Sequence, residues 1–457
     1  MNRVDILLIV FLQWIYMFSS QMYMPLFLNY MPTEKCVKGV TNATSYCYKV
    51  QKKCNHCIGN CSATHSICSD EVCVDRIESV VPFHSAAEDY GHYCEDTFQT
   101  FRTETVQYTG VFVGTILFGS LSDVFGRKNI LLIGLILGIP SMLLSGEINN
   151  FTVFYIFRLL TGFFTGCSMV VGWGYISELV APDQRMHLRS FATYPMGRAI
   201  ITLICYLSGD WRMANRVISI ICAPLIVAIF FILPESHVWL ASKGRQEEYE
   251  ASIDRMNKLA GCEYFKKITV EAKAKAKMGK TLKKVIVHPV LRKRLLCLFS
   301  LWFVTFYTSY GLTLNSDGMI KTNFYVVQFI LCGLLVTAKI GCSSIGILGA
   351  LILVFCQQSG TIIFAIFFML ASIMIELCAD ICYLAVNELM PTEIRGVATG
   401  VSSMVGRIAN IATAVSSVVK EKWEPGYYII LLVIGVANWL VSFFLLDETK
   451  GVDLNEV

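Results

Sequence analysis

Four ionisable residues lie where an apolar chain should carry no charge: Arg198 in "YPMGRAI", Arg407 in "SSMVGRIANIA", and Glu376 and Asp380, four apart in "IMIELCADIC". An arginine within a membrane-spanning run costs at least about 2.5 kcal/mol on insertion scales, so it must face a protein interior or an aqueous cavity. There a guanidinium is a two-pronged match for a carboxylate or sulfate. Glu376 and Asp380 share one helical face; they can neutralise the arginines in a structural ion pair, take up a proton, or hold a cationic group. The spacing of Phe303, Phe306, Tyr307 and Tyr310, next to Trp302, makes one aromatic helix face. Aromatic walls serve helix packing, and they also suit amphipathic organic ions through apolar burial and cation–π contact. Tyr307 and Tyr310 are the candidate lining residues, with Trp173 a further one. No nucleophile, metal cluster or phosphate loop accompanies these groups, so the chemistry they offer is binding without covalent steps: no enzyme, no cofactor and no metal.

The elements that must position these residues are membrane helices. Hydrophobic residues make up 55% of the 457 residues, charged residues 16%, and mean hydropathy is +0.57, which marks a polytopic membrane protein. The net charge of +4 is small and implies no nucleic acid. Apolar windows place spans near 6–28, 104–122, 130–148, 152–178, 188–208 and 214–233, then near 295–314, 322–338, 341–357, 360–386, 397–419 and 427–446. The expected fold class is therefore an all-α membrane protein of twelve helices in two six-helix halves. The divisions are a first span (1–30), a cysteine-rich loop (31–101), the rest of the first bundle (102–233), a basic loop (234–294), the second bundle (295–446) and a tail (447–457). Arg127, Lys128, Arg185, Arg189 and the basic 243–294 segment share one side if both termini are cytoplasmic. The lysine-rich loop then lies along the anionic inner leaflet.

Eight cysteines, Cys36, Cys47, Cys54, Cys57, Cys61, Cys68, Cys73 and Cys94, fall in the 31–101 loop, together with the glycosylation sequons at Asn42 and Asn60. An even number of cysteines beside sequons points to disulfides in an extracytoplasmic loop. Zinc on "CNHCIGNC" is the competing reading, disfavoured because thiolate zinc sites belong mainly to reducing compartments.

Two stretches about 210 residues apart look alike: "YISELVAPDQR" and "LAVNELMPTEIR" each carry Glu, Pro and Arg, with Glu178 seven before Arg185 and Glu388 seven before Arg395. Proline stops the helix and the Glu/Arg pair can bridge to the next one. Each copy leads to a Gly-Arg, at Arg198 and at Arg407, thirteen and twelve residues further on. Both arginines are thus expected at equivalent depth, about 18 Å from the helix start, as in transporters built from two related halves.

"GSLSDVFGRK", with Gly119, Asp123, Gly126, Arg127 and Lys128, resembles the signature of the major facilitator superfamily, and "RLLTGFFTG" resembles its helix-4 motif. Gly126 permits a tight turn, Asp123 and Arg127 can latch helix ends, and small residues four apart allow close helix contact. The cysteine-rich loop, "LSGDWR", "LPESHVWLASKGR", "WFVTFYTSYGL", "NELMPTEIRG" and "DETKG" narrow the resemblance to the organic cation, organic anion and carnitine transporters. His237 and Val238 depart from the Pro-Arg usual after "PES", Asp447 from a proline before "ETKG", and the second-half copy of the signature is missing around "TAKIG".

The resemblance implies an alternating-access carrier of small organic ions in the plasma membrane, with the lipid bilayer around it and a coupling proton or exchanged counter-ion as further partners. The position of Arg407 resembles the arginine of anion and carnitine carriers, where typical cation carriers have aspartate, so an organic anion or zwitterion is expected. The rival readings are a cation carrier using Glu376 and Asp380, and a non-transporting scaffold or receptor on the same fold.

Overall fold

The computed structural model describes residues 2–29, 83–90, 98–181, 191–266, 288–314 and 392–422, isolated positions near 184–188, 382–390 and 429–441, and four short strands between 34 and 73. Spans 8 and 9 and most of spans 10 and 12 lie outside the described residues.

The first span comprises α1 (Arg3–Ser19), a 3-10 turn (Ser20–Tyr23) and α2 (Met24–Leu28). The break has local causes. Ser19 and Ser20 donate their hydroxyls back to the carbonyls of Ile15 and Tyr16, and Pro25 has no N–H to give. The turn leaves the carbonyls of Gln21 and Met22 open to side chains of the second span.

Two hairpins follow, β1 (Glu34–Lys38) with β2 (Ser45–Lys49), and β3 (Cys68–Ser69) with β4 (Val72–Cys73). Then come α3 (Ala86–Asp89), α4 (Phe98–Phe125), α5 (Arg127–Glu147), α6 (Phe151–Cys167), a π-helical turn (Ser168–Gly172) and α7 (Trp173–Leu179). The first half closes with α8 (Tyr194–Ser208) and α9 (Trp211–Ile232). Beyond it lie α10 (His237–Ser242), α11 (Gln246–Ala260), α12 (Pro289–Leu314) and α13 (Thr392–Lys422). Five described helical runs are long and apolar enough to cross a membrane. They extend a few residues past the apolar windows, because helical hydrogen bonding continues after the hydrophobic run ends.

The closest approach in the first half is between α4 and α6. A Cβ on Gly162 would overlap the Gln107 carbonyl, and one on Gly166 the Val111 carbonyl, so the small residues of "RLLTGFFTG" are a steric requirement. At the end of the bundle opposite Gly126, segment 83–90 is pinned to three helix ends. His84 exchanges backbone hydrogen bonds with Gly209 and Trp211, Asp89 accepts from Trp211 and Arg212 at 2.8 and 2.9 Å, and Tyr90 donates to the Ile148 carbonyl. The "LSGDWR" motif thus holds the foot of the cysteine-rich loop. The two halves meet where α13 packs on α4, and within the second half α13 packs on α12.

Candidate functional site

Between the halves lies an aromatic–methionine cluster: Met22, Tyr108, Val111, Met169 and Tyr310 are buried, with Tyr23, Tyr194, Phe306 and Ile411 packed on them. Tyr310 stacks on Tyr23 at 6.2 Å, meets the edge of Tyr108 at 5.7 Å and donates its hydroxyl to the Met22 sulfur at 2.8 Å. The break in the first span and the π turn in the fourth bring Met22, Tyr23 and Met169 to this point.

Both arginines border this cluster. Arg198 is 3% exposed with its guanidinium 5.2 Å from the Tyr23 ring; Arg407 is 9% exposed and 5.8 Å from the Phe306 ring. Arg407 lies midway along the 31-residue α13, about 22 Å from either end. Its Nε is buried without a hydrogen-bond partner, and its guanidinium makes no ion pair with a described residue. Gly406 sits against Phe306, where a Cβ would be 2.8 Å from the ring. Arg198 is four residues into α8, about 6 Å from its start, because the regular helix begins only at Tyr194 with Pro195 in its first turn; the equal distance from the helix starts expected from the sequence is therefore not found for Arg198. Its depth is set by α1, because Gly197 rests on Ser20 and the Tyr16 carbonyl. Glu376 and Asp380 lie outside the described residues.

The aromatic face of α12 divides in two. Phe306 and Tyr310 turn to the cluster, while Phe303 stacks on Tyr307, whose hydroxyl donates to Ser416 Oγ at 2.7 Å. Tyr307 is thereby engaged in α12–α13 packing, because residues 303 and 307 form a row beside that of 306 and 310. Trp173 packs on the main core of the first half.

A second constellation gathers at the end of the bundle carrying Gly126. Arg127 donates to Asp123 at 2.8 Å and to Ser122 Oγ, with Glu178 at 3.4 Å. Gly126, at φ 105°, makes the turn and leaves room for Glu235, whose Oε2 would meet a Cβ there at 2.5 Å. Glu235 Oε1 accepts the backbone N–H groups of Arg127, Lys128 and Ser236 at 3.0, 3.0 and 2.9 Å, so a carboxylate caps the start of α5. Reciprocally, Lys128 Nζ donates to the Phe230 and Leu233 carbonyls at the end of α9. Glu178 Oε2 accepts from Ser236 Oγ at 2.5 Å, and Arg185 Nε donates to the Ser177 carbonyl. The Glu178–Arg185 bridge expected from spacing is therefore replaced by Glu178–Arg127 and Glu178–Ser236, because the folded loop brings those partners nearer than the sequence neighbour. A Cβ added at Gly119 would meet Val170 at an ordinary 3.6 Å, so the packing there does not demand glycine. Glu388 and the side chain of Arg395 lie outside the described residues.

Sequence reasoning left three notable residues aside, of which Glu235 belongs to the second constellation. Glu235 was visible only as part of "LPESHVW", and its role depends on a helix start 108 residues away. Arg158, in the helix-4 motif, is fully buried over the Phe154 ring at 5.4 Å, and none of its three nitrogens has a hydrogen-bond partner among the described residues. Tyr264 Oη accepts the Ala181 N–H at 3.0 Å and donates to Asp5 at 2.5 Å, joining the end of the fourth span to the start of the first. Burial pushes the Tyr264 hydroxyl well above the usual tyrosine range, with the Asp5 carboxylate adding to it. His237 packs against Phe265 with the ring centroids 4.3 Å apart and the rings tilted by 47°; burial, with Arg185 nearby, pushes its pKa down to about 4.

Comparison with known proteins gives the family of the chain. Residues 39–457 match the family model "Sugar (and other) transporter". An uncharacterized protein of Caenorhabditis elegans is 28% identical over 99% of this chain and 94% of its own. "Organic cation transporter-like protein" of Drosophila melanogaster is 27% identical over 82% of this chain and 72% of its own. "Solute carrier family 22 member 7" of Mus musculus is 26% identical over 81% and 73%. The xylose transporter XylE of E. coli, in an inward open conformation, superposes with a TM-score of 0.64 at 16% identity, covering 99% of this chain and 98% of that one. These relatives agree with the organic ion transporter resemblance read from the motifs. The chain has the fold of the major facilitator superfamily transporter XylE and belongs to the sugar (and other) transporter family, a family of carriers rather than enzymes.

Proposed function

We propose that this carrier moves a small organic anion or zwitterion bearing a carboxylate, and that Arg407 is the group that receives it. The observation carrying this reading is a guanidinium at the middle of a membrane helix, bordering the interface between the halves and given no counter-charge by the described residues. Leaving such a charge unpaired costs several kcal/mol, and a substrate carboxylate is a partner that recovers the cost only while bound. Arg198 is its pseudo-symmetric counterpart, Tyr310 and Tyr23 supply the aromatic wall, and rocking of one half against the other exposes the site to each side in turn. The Asp123–Arg127–Glu178–Glu235 cluster serves as the latch of the first half. Twelve spans, cytoplasmic termini, a glycosylated extracellular loop and residence in the plasma membrane complete this reading.

Cation transport through Glu376 and Asp380 is the second reading, supported by the cation carriers named among the Drosophila relatives. Uptake into proteoliposomes of an aromatic carboxylate, carnitine and a quaternary ammonium ion separates the two. The expected result is saturable uptake of a carboxylate that falls at least tenfold in Arg407→Ala and is partly retained in Arg407→Lys. Cation uptake that survives Arg407→Ala and fails in Asp380→Asn overturns the proposal. A protein moving none of the three, by flux or current, would point to the scaffold reading.

A further inference from the structure

The two hairpins of the cysteine-rich loop place four of its eight cysteines in register. In the first, Cys36 on β1 is the direct cross-strand partner of Cys47 on β2; in the second, Cys68 on β3 is the direct partner of Cys73 on β4. Each hairpin is a separate two-stranded sheet. Directly opposed residues in an antiparallel pair have Cα atoms about 4.5 or about 5.5 Å apart, depending on which ladder position they occupy. Both separations fall inside the roughly 4.4–6.8 Å that a disulfide spans without moving the backbone. A two-stranded hairpin alone is at best marginally stable in water, so each needs a covalent or tertiary restraint.

We infer that Cys36–Cys47 and Cys68–Cys73 are disulfides, each closing its own hairpin. The inference rests on the extracellular placement of the loop proposed above. Each closure joins two thiols through a new S–S bond and releases two protons and two electrons. A thiol–disulfide oxidoreductase of the secretory pathway accepts the electrons as its own disulfide becomes a dithiol.

These two assignments constrain the rest. Eight cysteines allow roughly a hundred complete pairings, and fixing two leaves about three, among Cys54, Cys57, Cys61 and Cys94. In every one of those three, Cys94 is tied back to Cys54, Cys57 or Cys61. In sequence Cys94 is close behind Tyr90, the last residue of the segment 83–90 that hydrogen bonds to the ends of the third, fifth and sixth spans. The remaining bonds therefore include one that anchors the middle of the loop to the first half of the carrier, whichever partner Cys94 takes.

Peptide mapping of the full-length chain from eukaryotic membranes tests this. Free thiols are blocked with an alkylating reagent, glycans removed, and the chain cut with trypsin and a glutamate-specific protease without reduction. The expected products are Cys36–Lys38 joined to Gly39–Lys49, and Val72–Arg76 joined through Cys73 to Cys68, with fragmentation locating the linked residues. Cys36 or Cys47 joined to any other cysteine, or Cys73 joined to any cysteine other than Cys68, overturns the pairing while leaving the extracellular placement intact. Alkylation of all eight thiols, with a membrane-impermeant maleimide reaching them only in permeabilised cells, overturns the placement and the pairing with it. As a second arm, Cys36→Ser should expose one new thiol per chain to the impermeant maleimide on intact cells, at Cys47; a label at any other cysteine overturns the first bond.

Discussion

Removing the Glu235 carboxylate should destabilise the first half more than any surface charge in this protein. In Glu235→Ala, the backbone N–H groups of Arg127, Lys128 and Ser236 lose their common acceptor. The first two are unpaired helix-start donors with no partner inside α5. Water replaces part of the loss at this half-buried site, so about 1 kcal/mol per helix donor is a reasonable figure. The charge at a helix start adds about 0.5–1 kcal/mol. The expected total is about 3 kcal/mol for Glu235→Ala and about 1 kcal/mol for Glu235→Gln, which keeps an acceptor oxygen and loses the charge. Equilibrium unfolding in mixed micelles with increasing SDS measures both. An Ala variant within about 0.5 kcal/mol of the parent, or a Gln variant as damaged as the Ala variant, would refute the reasoning.

Gly162→Val should force α4 and α6 apart, because its branches would have to enter the space of the Gln107 carbonyl; a loss of about 2–3 kcal/mol in the same unfolding assay is expected. His237, ordinarily near 6.5 and held at about 4 in the fold, binds its proton later than in the unfolded chain. Stability should therefore fall as pH drops from about 6.5 to about 4, by up to about 3 kcal/mol, and His237→Phe should flatten that slope. Tyr264→Phe removes the hydroxyl shared by Ala181 and Asp5, at about 1–2 kcal/mol; limited proteolysis within 246–266 should accelerate several-fold, and an unchanged rate would show that Phe265 and Asn257 hold the segment without it.

Much of the architecture was legible because membrane spans are written as composition. A bilayer demands about twenty apolar residues and satisfied backbone hydrogen bonds, so the windows near 104–122, 130–148 and 397–419 found the cores of α4, α5 and α13. The motif end was legible in part. Asp123 and Arg127 are one helical turn apart, and proximity in sequence gave their pairing. Glu178 followed the same logic to Arg185, yet its partners came from α5 and from Ser236. Proximity in sequence predicts a contact only where no folded neighbour competes for the same oxygen.

What the sequence determined by itself was the class of protein and the presence of Arg198 and Arg407 within apolar runs. These follow from local cost: a charge in an apolar run is visible without knowing its neighbours. Tertiary structure decided which groups those charges meet. Arg198 reaches Tyr23 only because serines and a proline break the first span, and Arg407 faces Phe306 because Gly406 lets two helices approach. It also divided one aromatic stripe between a row at the interface of the halves and a row bound into helix packing. A helical repeat fixes which residues share a face, and only the arrangement of neighbouring helices fixes what that face touches.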